Sequence, residues 1–506
     1  MIVLAGVVIV IAASCAPPPP ARVSFTWAIG RAEPRFDPGG PPDPVRWAIE
    51  RLLGRGLLEE DTSGAIVPAA AARHEVTPDG LVHTFHLRPG LRFGDGTRCG
   101  SGDFRRAIES NLNRLDHATQ LWLLESLAGT DDVRAGQPLP PLGIATPDDS
   151  TLVLRLARPD SLLPRKLALP GVAVPWSAAD AGGGWRSGLG DYQAVAASSG
   201  RMTLVRRDDA ATAGPDTMHL RFARGITRAR AWLRAGQVDL LWPVPPGLLA
   251  QGLPAGVHAR SRPARPSRGL LLVLRADLPP TSRPPARHAL AHGLDRAGLL
   301  AALGPHGVAL AAWLPGGEPF DFPRRDPETV RAWLERGKFR RSLHVVMTYS
   351  ADGAGAEIAR PMQAEWAGLG LDVELRPVSA AAFQAAARAP GGAQLALVES
   401  QSLLEDPVAE LAALVTPARG PVIGGLRTGW RTREFDAWLH PRGATQPLDV
   451  AGAQRRLEQD QIVLPLARLP WLWVERTGGS GVPCHPHFGP DPRRAASLEP
   501  EDRKGR

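Results

Sequence analysis

Three cysteines in 506 residues, at positions 15, 99 and 484, argue against an architecture stapled by disulfides. Lysine occurs only at Lys166, Lys338 and Lys504, so the formal net charge of +8 rests almost entirely on arginine. Those arginines are scattered among aspartates and glutamates, and no basic run with interleaved aromatics occurs; the footprint of a nucleic-acid binder is missing. Catalytic signatures are missing too. There is no G-x-S-x-G elbow, H-E-x-x-H pair, P-loop or dinucleotide-type Gly-rich turn after a strand. Gly182-Gly183-Gly184 reads as a loop connection. The N-terminal apolar run from Ile2 to Ala13 falls short of the roughly 20 residues that span a bilayer. The Cys484-His485-Pro486-His487 cluster has metal-ligand residue types, but no second cluster completes a tetrahedral site, so no metal or cofactor is expected.

What is present is a chain long enough for several domains, rich in glycine (54) and proline (51) without any repeat period. Its most informative stretch runs from Ile66 to Leu115. Thr77-Pro78-Asp79-Gly80 is a turn, since proline presets φ and glycine accepts a positive one. Val82 to Arg88 then alternates with the period of a half-buried strand, His83, Phe85 and Leu87 on one face. Pro89-Gly90 ends it, Asp95-Gly96-Thr97 makes a second corner, and Ser101 is placed to cap a helix carrying Phe104, Ala107, Ile108 and Leu112.

This order of turns resembles the signature of the bacterial extracellular solute-binding proteins of family 5, the peptide/nickel-type receptors of ABC importers. Asp79, Gly80, Phe85, Leu87, Arg88, Phe93, Asp95, Gly96, Thr97 and Asp103 occupy the matching places, while Gly100 and Phe104 depart from the pattern. Further along, Gly236-Gln237-Val238-Asp239 resembles the family's G-E-V-D, and Pro285 to Arg296 resembles V-R-x-A-L-x-x-x-I-D-R. Asp326-Pro327 opens a helix, and Val463-Leu464-Pro465-Leu466 resembles the closing strand. The matches cover about residues 23 to 475 in order. Independently of the resemblance, Gly269 to Leu274 reads as a strand buried on both faces. Leu343–Thr348, Ala356–Leu369 and Leu371–Leu375 read as a βαβ unit.

The resemblance implies an α/β, two-lobed periplasmic-binding-protein-like fold (class II, cluster C type) with an extra N-terminal subdomain. The expected division is 1–15 signal peptide, 16–22 Pro-rich tether, 23–55 plus 170–245 plus 460–477 lobe I, 56–169 an inserted subdomain, 246–459 lobe II, and 478–506 a flexible tail. Ala12-Ala13-Ser14-Cys15 followed by Pro17 to Pro20 resembles a lipoprotein signal, with Cys15 lipidated and the chain exported and tethered to a membrane; a plain secretory peptide is the alternative. Implied partners are a small solute, peptide-like or other, and permease subunits with their ATPases; a monomer is expected, with no nucleic acid.

For the solute, the resemblance points to Tyr349 after a strand, to Glu405 and Asp406 before Pro407, and to Arg427 with Trp430. Peptide-binding relatives carry an aspartate four positions before that proline to receive the ligand's amino group; here the position is Leu403, where a buried ammonium would go unpaired. Two other readings stay open: a fold-retaining sensor or scaffold that has lost transport, and an exported hydrolase whose nucleophile and base cannot be placed. Pairing of Cys99 with Cys484 requires that the fold bring them together, which spacing does not decide.

Overall fold

A computed structural model describes residues 23–33, 43–113, 123–133, 137–176, 187–223, 225–265, 268–309, 314, 317, 319–339, 343–380, 382–383, 386, 392–407, 428–430, 449–476 and 481–495. The chain opens with β1 (Ser24–Ile29) and α1 (Pro44–Leu53), whose N-cap Asp43 accepts from the Arg46 amide. A subdomain follows: β2 (Leu58–Glu60), β3 (Ile66–Pro68), β4 (Ala71–Val76), β5 (Val82–Leu87), α2 (Ser101–Leu112), β6 (Ile144–Asp148), β7 (Thr151–Arg155) and α3 (Leu163–Leu167). Its sheet has the order β4-β5-β7-β6, antiparallel throughout. On β5 the buried side chains are His83, Phe85 and Leu87, the face expected from alternation. The cap of α2 differs from expectation. Gly100 is the N-cap, Asp103 reaches back to its amide, and the Ser101 hydroxyl, one position inside, donates to Asp148 O instead.

The chain continues through β8 (Tyr192–Ser198), β9 (Arg201–Arg206), β10 (Thr217–Phe222), α4 (Ile226–Arg234), β11 (Leu240–Leu241) and β12 (Val257–Arg262). Gly236 takes a left-handed φ of 66° just past α4, the conformation that ends a helix at low cost in glycine. Next come β13 (Arg268–Leu274), α5 (Pro284–Ala291), α6 (Arg296–Leu303), α7 (Pro327–Arg336), β14 (Leu343–Ser350), α8 (Gly355–Ala367), β15 (Leu371–Val378) and β16 (Leu395–Gln401). Last are α9 (Val450–Gln459), β17 (Val463–Arg468), β18 (Trp471–Arg476), β19 (Cys484–His485) and β20 (Gly489–Pro490).

Two large sheets define the lobes. The first is seven-stranded, β12-β18-β11-β1-β10-β9-β8, and the second five-stranded, β15-β14-β16-β13-β17. The apolar run of β13 is explained by its place inside the second sheet. Leu270, Leu272 and Leu274 enter a core with Trp366 and Met347, while Leu271 and Val273 enter another with Trp430 and Val463 on the opposite face. Each such side chain contributes about 1.5–3 kcal/mol when fully buried. β14, α8 and β15 form the expected unit with β14 and β15 parallel.

Strand pairing moves both expected lobe boundaries. β12 pairs with β18 in the first sheet, so that lobe extends to Arg262 rather than ending at 245. β17 pairs with β13 in the second, so residues 463–468 belong to lobe II and the return to lobe I begins only at β18. The two crossovers therefore lie between residues 262 and 268 and between 468 and 471.

The tail expected to be flexible from 478 is corrected over residues 481–495. Val482, Cys484, His485, His487, Phe488, Asp491 and Arg493 are buried. His485 Nε2 bonds Glu60 O at 3.0 Å, His487 Nδ1 meets Glu60 Oε2 at 2.9 Å, and Asp491 and Arg493 form a doubly bonded pair. Glycine and proline gave this segment the composition of a loose tail, but long-range partners hold it. Cys99 and Cys484 are both free and buried, in different cores. Among the described residues no group of three ligand-type side chains could hold a metal, and no helix is long and apolar enough to cross a membrane.

Candidate functional site: a cavity between the two large sheets

β1 runs parallel to β10 and β11, and β14 runs parallel to β15 and β16. In open α/β sheets ligands bind outside the carboxyl ends of such strands, where loops diverge. A cavity of about 220 Å³ lies at these ends, lined by both lobes. From lobe I come Arg31 after β1, Asp43 and Trp47 of α1, and Trp242 to Val244 after β11. From lobe II come Arg268 at the start of β13, Ser350 at the end of β14, Asp352 to Gly355 beyond it, Phe383, and Leu397 with Glu399 to Gln401 of β16. Leu469 and Pro470, on the second crossover, complete the wall.

The lobe I wall is a stacked tryptophan platform with one ion pair. Trp27 donates its Nε1–H to Trp242 O at 2.9 Å, and its ring stacks on Trp242 at 5.9 Å. Trp242 meets Trp471 edge-on at 5.7 Å. Gly30 lets the backbone approach Pro243 and Pro245, which a Cβ would strike. Arg31 pairs with both carboxylate oxygens of Asp43. Burial alone would raise the Asp43 pKa, but the Arg31 and Arg46 charges outweigh it and hold the carboxyl below its ordinary range.

Lobe II carries its charge differently. Arg268 lies over the Trp471 ring at 4.2 Å and donates to Pro470 O at 3.2 Å, so it touches the second crossover from the first strand after the first one. Its contact with Glu399 is long, 3.5 Å. Glu399 Oε1 is held instead by the Ala354 amide at 2.5 Å, and Gly353 leaves room for that carboxylate. Asp352 Oδ2 accepts from the Ala380 amide at 3.1 Å. Burial lowers the His306 pKa, opposed by the charges of Glu357 and Glu399. The lobes also touch beside the cavity. The Gly247 amide donates to the Glu357 carboxylate of α8, and Gln401 Nε2 donates to His487 O at 2.7 Å.

The residues singled out from sequence lie elsewhere. Tyr349 is inside β14, which runs on to Ser350, and is buried in the lobe II core rather than placed in the loop beyond the strand. Trp430 is buried against Phe383 and Val463 and donates to Asp460 Oδ2 at 2.6 Å. Glu405 is exposed with a left-handed φ of 53°, Asp406 is half-buried, and neither is among the described lining residues. Arg427 and Cys15 fall outside the described residues. Leu403 and Leu404 pack into the subdomain core with Trp47 and Phe488, so this apolar pair fastens lobe II to lobe I. Sequence reasoning missed Arg31, Asp43, Arg268, Asp352 and Glu399. The signal available for Arg268 was a charge opening a strand otherwise wholly apolar.

Residues 65–420 match the family described as bacterial extracellular solute-binding proteins, family 5 Middle, more than half of the chain. The chain belongs to this family. Among curated relatives it is similar to the oligopeptide-binding protein OppA of Bacillus subtilis, 24% identical over 370 residues, 67% of this chain and 68% of that protein. Its fold is similar to that of the Escherichia coli murein tripeptide binding protein MppA, with a TM-score of 0.79 at 18% identity over 95% of this chain and 99% of the other. It is also similar to the binding protein AgaA of A. tumefaciens in complex with agropinic acid, TM-score 0.73, 20% identity, 92% and 96% covered. The family's two-lobed α/β architecture is the one described above, and these relatives are named as binding proteins, not enzymes.

Proposed function

We propose that this family 5 protein is the extracytoplasmic receptor of an ABC importer: it encloses a small, peptide-like solute between its lobes and presents it to permease subunits driven by their ATPases. The cavity at the carboxyl ends of both sets of parallel strands carries this reading, since only a closed pair of lobes completes its wall. Two crossovers permit hinge closure, and a solute stabilises the closed state only through contacts it makes with both lobes. At about 220 Å³ the cavity falls below the roughly 300–1,000 Å³ usual for ligand sites, and suits a dipeptide or opine-sized solute better than a long peptide. The names of OppA, MppA and the AgaA complex lie in the same range of amino-acid-derived compounds.

Thermal unfolding against a panel of dipeptides, tripeptides, opines, sugars and metal chelates tests the reading. A solute at a hundredfold its Kd raises stability by about 2.7 kcal/mol. No shift with any member would overturn it. Lipid anchoring through Cys15 belongs to the same proposal: Cys15→Ser releases the protein from the membrane fraction without unfolding it, and unchanged retention would sink that part.

A further inference from the structure

The balance of arginine with acid fails in one stretch of lobe I. Residues 217–265 hold eight arginines against a single acid, Asp239, whose carboxylate accepts from the Thr26 amide. Several arginines elsewhere on the surface are answered: Arg73 by Glu75, Arg105 by Glu109, Arg158 by Glu125 and Arg376 by Glu374. Arg221, Arg228, Arg230 and Arg234 make no ion pair among the described residues. Their partners are neutral: Arg230 donates to Gln251 Oε1 and O at 2.8 and 2.9 Å, and Arg221 to Gln237 Oε1 at 3.4 Å. Ala229 and Leu233 turn the apolar side of α4 onto the sheet. At helical spacing this puts Arg228 with the half-buried Trp232 on one flank and Arg230 with Arg234 on the other. Arg221, on β10, lies 5.9 Å from the Trp232 ring. Like charges four residues apart oppose the helix, and no acid of this face offsets them. Both β10 and β11 run parallel to β1, so the Arg234 end of α4 returns to the amino end of β1, where the upstream chain joins at Val23. The solute cavity lies at the opposite ends of these strands.

We propose that this face of lobe I docks on an anionic lipid surface, its arginines meeting headgroup phosphates and Trp232 seated at headgroup level. Guanidinium groups bind phosphate oxygens in pairs, and an indole keeps its apolar body in and its N–H out at such a boundary. Arginines spread along both flanks of a helix suit a plane of phosphates rather than one small anion. A basic helix with an aromatic at its rim is the pattern of segments that lie on membrane surfaces. The chain that carries the proposed lipid site at Cys15 joins at the same end, so tether and face address one surface. Contact of this kind is reversible and screened by salt, so Cys15→Ser still releases the chain under a salt wash. The cavity, at the other end of the strands, stays open to solute.

The test is cosedimentation of the full chain carrying Cys15→Ser with vesicles of phosphatidylcholine, alone or mixed with phosphatidylglycerol. Stronger retention is expected on the mixed vesicles at about 0.1 M salt, and its loss at about 1 M, where the Debye length shrinks to about 3 Å. Arg228→Gln with Arg234→Gln, both exposed, should weaken partition into mixed vesicles by about tenfold or more. Arg73→Gln with Arg376→Gln removes the same charge from exposed arginines that already have acidic partners, and should change partition by less than about twofold. Equal retention on both vesicle types, or equal loss in the two double variants, would overturn the inference. Failure to bind mixed vesicles at all would also overturn it, and would leave an acidic protein surface as the occupant. The receptor reading stands or falls separately, on the solute panel.

Discussion

Two charged regions of this molecule were read from the same kinds of residue and behave oppositely. In the inserted subdomain, Asp79, Asp95 and Asp148 sit in exposed turns and bond partners two residues away: the Leu81 amide, the Thr97 amide and hydroxyl, and the Ser150 amide and hydroxyl. In the C-terminal segment, Asp491 pairs with Arg493 in a buried site, while His485 and His487 bond Glu60 across more than 400 residues. The turn aspartates shape the chain locally and are solvated. The C-terminal charges have left water and depend on the rest of the fold for compensation. The lesson is that a carboxylate's worth is set by where its partner comes from.

Substitutions can break this contrast, and the largest effect is expected at Arg493. Burial alone would raise the Asp491 pKa, but the charges of Arg493 and Arg51 hold it well below the ordinary carboxylate range. Arg493→Ala leaves that carboxylate buried and unpaired, and should cost about 3–5 kcal/mol in denaturant unfolding. A double change to apolar residues of similar size should recover most of the loss; failure to recover would mean that the arginine acts through something other than the pair.

His487→Ala comes next, at about 1–3 kcal/mol, because it strips Glu60 of its buried partner. Hydrogen exchange should show residues 484–490 opening while the 77–82 turn keeps its protection. Equal loss in both places would dissolve the distinction between the regions.

A pH dependence of similar or smaller size follows from His485. Burial, assisted by the Arg51 charge, lowers its pKa to about 2, with Glu60 O and Asp491 opposing. The folded value lies below the unfolded one of about 6.5, so this stabilisation is fully present above pH 6.5 and fades as pH falls toward 2. The slope approaches about 1.4 kcal/mol per pH unit, or about 2 kcal/mol between pH 6.5 and 5. Other histidines, such as His74, lowered to about 4, act in the same direction, so the check is His485→Gln. That variant should flatten the stability curve by one proton; an unchanged slope would refute the assignment.

The smallest effect is expected at Asp95→Ala. Its exposed turn has lost nothing from water, and the unfolding midpoint should stay within about 1–2 °C of wild type. A larger shift would show that these turns carry more than local geometry.

The same division runs through the whole chain. The alternation of His83, Phe85 and Leu87, the apolar strand from Gly269 to Leu274 and the βαβ unit were all legible, because each depends on patterns within single elements and their immediate succession. Together with the turns around Asp79 and Asp95 they were enough to place the chain in its family. The cavity was not legible in that way. Arg31, Asp43, Arg268, Asp352 and Glu399 are brought together by parallel strands of two sheets and by crossovers whose positions follow from strand pairing rather than from local pattern. Tyr349 and Trp430 had the residue types of a binding site but are buried in the lobe II cores, Tyr349 because it lies one residue inside the end of β14 and Trp430 because it packs against Phe383 and Val463. Sequence by itself determined the elements, their order and the family, through short-range sterics and periodic burial. Which charges face the solute, and whether the last segment is held, only the tertiary structure decided, because electrostatic compensation is settled by distance in space.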